Sequence, residues 1–219
     1  MSPREEGLAP PGTTRLPGEG PDVPAGMQEI GHGPVDTPDP AAPRTGPLAS
    51  LGHLDHALTD RILVKARLDG TPRPWVVYLR RFSEAGSYGI GWVVLFGIVG
   101  IVGRGWLAGA VAAGFVVGML LLNTLIKGVF KRPRPLQRAI EHAPASYSMP
   151  SAHTSMAMVG AATMTELVGM PGLWWTVAAA LGLSRVMLGM HFLGDVLVGA
   201  VLGTAIGLLV AAPVVQSLL

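Results

Sequence analysis

The chain has 219 residues, no cysteine and only 14% charged residues, against about 25% in an average soluble domain. A mean hydropathy of +0.45 puts it among membrane proteins, and the missing cysteines exclude disulfides, thiolate chemistry and Cys-ligated zinc. The formal net charge of +2 is too small to imply a polyanionic partner, so the placement of the basic residues carries more information than their number.

Residues 1–48 hold eleven of the 19 prolines and few bulky apolar side chains. Such a segment buries too little surface to offset its ordering entropy, so a disordered tail is expected, followed by a membrane-embedded domain over 49–219. The first 30 residues lack the apolar core of a signal peptide, so the mature chain is expected to keep its N-terminus. From Leu51 to Leu68 apolar residues recur at helical spacing among Asp55, Asp60, Arg61, Lys65 and Arg67. That pattern predicts an amphipathic helix lying on the membrane surface, ended by Thr71-Pro72-Arg73-Pro74. A short segment from Trp75 to Phe82 then leads into the bilayer.

Five transmembrane helices are expected, at about 87–103, 106–126, 152–170, 173–190 and 192–212. The predicted fold is therefore all-α: an integral-membrane helical bundle preceded by an amphipathic helix. Gly and Ala are frequent in these stretches, and small residues let membrane helices approach closely. Trp106, Trp174 and Trp175 fall where an interfacial aromatic belt belongs. Basic residues crowd the N-terminal flank and the 127–150 loop, which places both on the cytoplasmic side by the positive-inside rule. That loop and the turn at His191 are two crossings apart, so they share one membrane face.

Three charged clusters interrupt the apolar pattern. An ionisable group near a helix centre costs roughly 2.5–3.5 kcal/mol on insertion scales, so such groups are functional candidates. The first cluster contains Lys127 and, between Pro133 and Pro135, Arg134. A lone pair of this kind more often anchors a helix at the headgroups, but a guanidinium on a proline-stiffened loop suits bidentate phosphate binding. The second is Pro150-Ser151-Ala152-His153. Ser151 is a natural N-cap, and the same helix start offers backbone N–H groups and a positive dipole end to an anion. His153 in that first turn suits a proton donor to a departing alkoxide. The third holds Ser184, Arg185, His191 and Asp195. Arg185 near the end of an apolar helix needs an anionic partner. His191 and Asp195, four apart, share a face if the last helix begins by residue 191, and the carboxylate then fixes the imidazole tautomer. Two histidines and an aspartate also admit a metal site. Lys127, Arg134 and Arg185 would repel a divalent cation, however, and they favour an anion.

These residues resemble the type-2 phosphatidic acid phosphatase superfamily. Its signature, K-x6-R-P, then P-S-G-H, then S-R-x5-H-x3-D, is matched in order with correct internal spacing, over about 85–212 of this chain. The resemblance implies a helical-bundle lipid phosphatase that works without metal or other cofactor through a phosphohistidine. It makes His191 the nucleophile, Asp195 its orienting partner and His153 the general acid. Lys127, Arg134, Ser151, Ala152 and Arg185 would surround the phosphoryl group. Ala152 departs from the family's glycine, adding a methyl beside the phosphate, and the short N-terminal portion departs from the six spans of many members. The implied partners are a lipid phosphate and the membrane, not nucleic acid, and the implied location is a bacterial plasma membrane. The Ser-Ala-His variant and the cytoplasmic orientation resemble the actinobacterial branch acting on decaprenylphosphoryl-5-phosphoribose, with undecaprenyl pyrophosphate as the nearest competing substrate. A lipid phosphotransferase using the same histidine, a vanadium haloperoxidase and a non-catalytic anion-binding membrane protein are the alternatives.

Overall fold

Glycine spacing decides how closely the helices of this chain pack, and so where the charged clusters end up. A computed structural model of the chain describes residues 47–68, 71–86, 89–135 and 146–219; the Pro/Gly-rich tail lies outside them apart from its last two residues. Helices α1 (Pro47–Ala66) and α2 (Val76–Ala85) come first. Between them are two two-residue strands, β1 (Arg67–Leu68) and β2 (Thr71–Pro72), paired antiparallel. The first helix thus stops at Ala66, ahead of the expected proline terminator. There follow α3 (Ile90–Val99), α4 (Trp106–Phe130), α5 (Ala152–Val168), α6 (Pro171–Met187), α7 (Leu193–Ile206) and the short α8 (Ala212–Gln216).

Over its described residues each of the five apolar stretches is largely helical. Among the described residues two helices are long and apolar enough to cross a bilayer, Trp106–Phe130 and the continuous run Leu193–Gln216. A third is added if α2 and the residues from Ile90 to Gly103 form one bent span. Helices α5 and α6 have 17 residues each, short of the roughly 20 that span a hydrocarbon core. Helix α5 is instead the interior helix: 13 of its residues are buried, so its neighbours, not its composition, shield it.

Close approach to α5 comes from a four-residue glycine repeat on α7. A Cβ at Gly199 would stand 2.7 Å from the backbone oxygen of Ser151, one at Gly203 would collide with the Ser155 backbone, and one at Gly207 would meet the Ala162 methyl. Helices α3 and α4 use the same device: a Cβ on Gly109 would lie 2.6 Å from the Phe96 carbonyl. Their connection turns at Gly105, whose φ of +91° excludes ordinary side chains. Just before α8 the helix widens into a π-type turn at Gly207–Ala211. Pro213 follows and supplies no N–H, the usual reason for such a widening.

Apolar packing between α4 and α5 is reinforced by a buried polar link. Asn123 of α4 donates from Nδ2 to Ser155 Oγ (2.6 Å) and to the Met119 carbonyl (3.1 Å). Interhelical hydrogen bonds of this kind contribute about 0.6 kcal/mol on average in a bilayer protein. Trp174, expected in an interfacial belt, is half-buried: it packs edge-on against Trp92 and donates Nε1–H to the Gly169 carbonyl (2.8 Å).

Substituting Gly199 by Ala forces α7 off α5, and overpacking of this kind costs about 1–3 kcal/mol. Gly118→Ala, with no neighbouring atom within 4 Å, is the control. Thermal unfolding in detergent is expected to show a clearly lower Tm for the first and an unchanged or raised Tm for the second.

Candidate functional site

The α7 start lacks a polar capping residue of its own, since Phe192 occupies the N-cap position. The backbone donors there are satisfied partly by Asp195 of its own first turn and partly by α1. Asp195 Oδ2 accepts the Phe192 N–H (3.0 Å). The next two donors go to α1: Leu193 N–H to Thr59 Oγ1 (3.0 Å) and Gly194 N–H to Asp55 Oδ1 (2.8 Å). Gly194 permits this, because a Cβ there would lie 2.8 Å from the Asp55 carboxylate. Helix α1 is therefore docked on α7 through its polar face. The expected amphipathic helix is present, but this face does not simply lie along a membrane surface, because two N–H groups at the α7 start take their acceptors from it.

Around this junction the three sequence clusters meet. Lys127 sits in the last turn of α4, which closes when Lys131 adopts a left-handed conformation (φ 45°) and donates its N–H to the Lys127 carbonyl (3.0 Å). The chain then runs extended through Arg134, laced to the following segment by Ser148, whose N–H bonds to the Arg132 carbonyl (2.8 Å) and whose hydroxyl bonds to that of Pro133 (3.0 Å). Arg134 is held by specific acceptors as well as by its flanking prolines. Its Nε donates to the Ser146 carbonyl (2.7 Å), one terminal nitrogen to Ser146 Oγ (3.0 Å) and the other to the Met190 carbonyl (2.9 Å). That last nitrogen also stands 3.2 Å from His191 Nε2.

His191 lies in the turn after α6, two residues ahead of α7, so the pair with Asp195 is not made along one helix face as expected. The turn still brings its Nδ1 to 3.5 Å from Asp195 Oδ2. That is longer than a well-formed hydrogen bond, and among the described residues this nitrogen has no other partner. His191 is 1% and Asp195 0% exposed. With Arg134 donating to Nε2, the proton belongs on Nδ1, facing the carboxylate. Burial above all, and then the Arg134 charge, draw the His191 pKa down from 6.5 to about 4 against the pull of Asp195. The ring is neutral at physiological pH.

Ser151 begins α5 and is fully buried, but it caps differently from expectation. Its side chain does not cap the helix backbone; its hydroxyl accepts from Thr154 Oγ1 (3.0 Å), and its N–H donates to the backbone carbonyl of Asp195 (3.0 Å). Ala152 and His153 occupy the first turn behind it. Arg185 is buried near the end of α6, where Nη1 donates to the Ser83 hydroxyl of α2 (2.7 Å); the expected partner was an anion. Ser184 turns away and bonds to the Leu181 carbonyl of its own helix (2.7 Å).

Lys127 stands within electrostatic range of Arg134, Arg185 and Asp195, and His153 within range of Arg185, His191, Lys127 and Arg134. Three cations and two imidazoles thus share one locality. Such a locality is built for an oxyanion. Among the described residues no three His, Asp or Glu side chains are gathered as metal ligands.

Several contributors escape a sequence reading. Asp55 and Thr59 look like ordinary polar positions of an amphipathic helix, four apart, and Ser83 carries no motif. Arg132 lies inside the first cluster yet faces away from the others' role. It spans two carboxylates, Asp55 (2.6 Å) and Asp195 (2.9 Å), with its guanidinium 4.2 Å over the Phe192 ring.

The class of this helical membrane protein follows from its likeness to known phosphatases. Residues 103–217 match the model of the PAP2 superfamily, and the chain belongs to that superfamily. It is 33% identical over 177 residues to decaprenylphosphoryl-5-phosphoribose phosphatase of Mycobacterium tuberculosis, covering 77% of this chain and 90% of that protein. The Mycolicibacterium smegmatis protein of the same name is 31% identical over 148 residues, 64% of this chain and 80% of that one. Among solved structures, the PAP2-type phosphatidylglycerolphosphate phosphatase of Bacillus subtilis superposes with a TM-score of 0.61 at 23% identity, covering 77% of this chain and 85% of that one. At that identity it bears on the fold alone.

Because the folded protein holds His191 neutral while the unfolded chain protonates near 6.5, unfolding takes up a proton as pH falls from about 6.5 to about 4. Stability is present in full above that window and is lost through it. The wild-type Tm is expected to fall more steeply between pH 6.5 and 4.5 than that of His191→Gln, measured in the same detergent.

Proposed function

We propose that the chain is a metal-independent lipid phosphatase that hydrolyses a polyprenyl-linked phosphate through a phosphohistidine on His191. The observation that carries this reading is a neutral, buried imidazole with Arg134 at one nitrogen and Asp195 at the other, inside a ring of cations. Similarity to the mycobacterial phosphatases supports decaprenylphosphoryl-5-phosphoribose, or a closely related polyprenyl phosphate, as the substrate.

In this mechanism the phosphoryl oxygens take the place of the His191 ring as acceptor for Arg134 and lie between Lys127 and Arg185. The α5 start beside Ser151 adds the backbone N–H groups of its first turn, from Ala152 onward, and the positive end of its dipole. His191 Nε2 attacks phosphorus in line with the ester oxygen. The N–P bond forms as the P–O bond breaks, and His153 gives its proton to the departing alkoxide. Positive charge that develops on the His191 ring is balanced by Asp195. Water, deprotonated by His153, then attacks phosphorus and restores His191, so ester plus water yields alcohol plus phosphate. A bound dianion neutralises the surrounding cations and so favours the protonated His153 that this step needs.

The basic flanks support a site on the cytoplasmic face of a bacterial plasma membrane. Cysteine labelling at a position within 136–145 in intact cells tests that orientation; labelling by an impermeant reagent would reverse it.

His191→Ala is expected to abolish phosphate release from lipid phosphates in detergent micelles, and Asp195→Asn to leave a small remainder. For His153→Ala, kcat on a polyprenyl phosphate should fall by about 10²–10⁴, with a much smaller loss on an aryl phosphate whose leaving group needs no proton. Vanadate should inhibit and EDTA should not. Full activity of His191→Ala would sink the reading, EDTA sensitivity would replace it with a metal mechanism, and phosphoryl transfer to added alcohol in preference to water would make the enzyme a transferase.

A further inference from the structure

Two negatively charged side chains from helices far apart in sequence converge on one guanidinium beside the proposed nucleophile. We infer that Arg132, held by Asp55 of α1, is a positioning residue for Asp195, and that α1 is consequently part of the catalytic apparatus. This rests on the reading of His191 and Asp195 as a working pair.

Asp195 Oδ2 serves two donors, the Phe192 N–H at 3.0 Å and the side of His191 Nδ1 at 3.5 Å. Oδ1 is taken by Arg132 Nη1 at 2.9 Å. With both oxygens engaged, the carboxylate plane is fixed, and Oδ2 is directed where the imidazole proton lies. Arg132 is itself fixed on three sides. Nη2 donates to Asp55 Oδ2 (2.6 Å), the guanidinium covers the Phe192 ring, and the Arg132 carbonyl accepts from Ser148. Asp55 in turn spends its other oxygen on the Gly194 N–H. The path Asp55–Arg132–Asp195–His191 thus runs through two ion pairs and ends beside the neutral imidazole. Its N-terminal member lies upstream of residues 103–217, the part matched by the family model.

The guanidinium bridges the two carboxylates, with one terminal nitrogen on each. Lysine offers a single point charge and cannot reach both carboxylates with the same geometry. Arg132 takes no part in gathering the oxyanion, because its charge is already balanced by two carboxylates. Its effect should therefore fall on the rate of the chemical step and leave substrate binding alone.

The test is steady-state kinetics on a polyprenyl phosphate with full-length Arg132→Gln, Arg132→Lys and Asp55→Asn, each also combined with Asp195→Asn, alongside thermal unfolding of every variant. Arg132→Gln is expected to lower kcat by about tenfold or more with KM within about threefold, and Arg132→Lys to restore little. Asp55→Asn should give a smaller loss in the same direction. In the Asp195→Asn background both Arg132→Gln and Asp55→Asn should cost almost nothing further, since the group they position is already disabled.

Equal fold-losses in the two backgrounds would overturn the inference, because a general structural defect multiplies independently. A raised KM with unchanged kcat would also overturn it, making Arg132 a substrate contact. If Arg132→Gln fails to fold, Asp55→Asn and Arg132→Lys decide by the same criterion. Wild-type activity in Asp195→Asn itself would remove the proposed function, a result distinct from additivity between active variants.

Discussion

A carboxylate with no exposed surface, Asp195, holds the charged layer of this protein together. Ionised groups in a low-dielectric interior are tolerated only when each is paired and hydrogen-bonded, and the loss of one partner leaves the other stranded. Asp195 meets that demand completely. Its side chain takes a guanidinium, a backbone N–H and the flank of an imidazole, while its main-chain carbonyl takes the Ser151 N–H. One residue thereby ties the starts of α5 and α7, the extended segment after α4 and the turn after α6.

That junction is possible because the scaffold around it lets backbones approach closely. Glycines at 199, 203 and 207 put α7 directly on the α5 backbone, and the Ser151–Asp195 bond needs this proximity. In a bilayer, lipid tails compete with apolar side chains on equal terms, so close backbone packing supplies what hydrophobic burial supplies in water. The interior position of α5 follows from the same economy, with small and hydroxyl side chains returning their hydrogen bonds to their own helix. Thr163 bonds to the Val159 carbonyl (2.9 Å) and Ser155 to that of Ser151 (3.1 Å).

Opposed to this satisfied layer are the cations that face one another. Lys127, Arg134 and Arg185 repel, and each is held where it stands by local bonds or by burial. Arg134 alone is fixed by three carbonyl or hydroxyl acceptors. Their mutual repulsion is a cost to the fold, which the phosphoryl group proposed above would relieve. Electrostatic preorganisation of this sort costs no rearrangement when charge develops on a phosphoryl group.

Sequence alone determined the class of this protein: apolar segments of helical length, and Lys127 to Asp195 in a spacing that matches the superfamily. Those features are local or rest on spacing along the chain, so a linear reading reaches them. It also reached the meeting of the segment after α4 with the His191 turn, because two successive helices, α5 and α6, bring the chain back to it. Only the tertiary structure decided that α1 belongs to the site, that Arg185 meets Ser83, and that Arg132 joins Asp55 to Asp195. Residues 77 and 63 apart in sequence supply those contacts. An amphipathic helix shows which of its faces is polar but not which buried donors that face will satisfy. The missing information was the uncapped start of α7: Phe192 cannot accept a hydrogen bond, and the acceptors that the backbone requires came from a helix more than a hundred residues away.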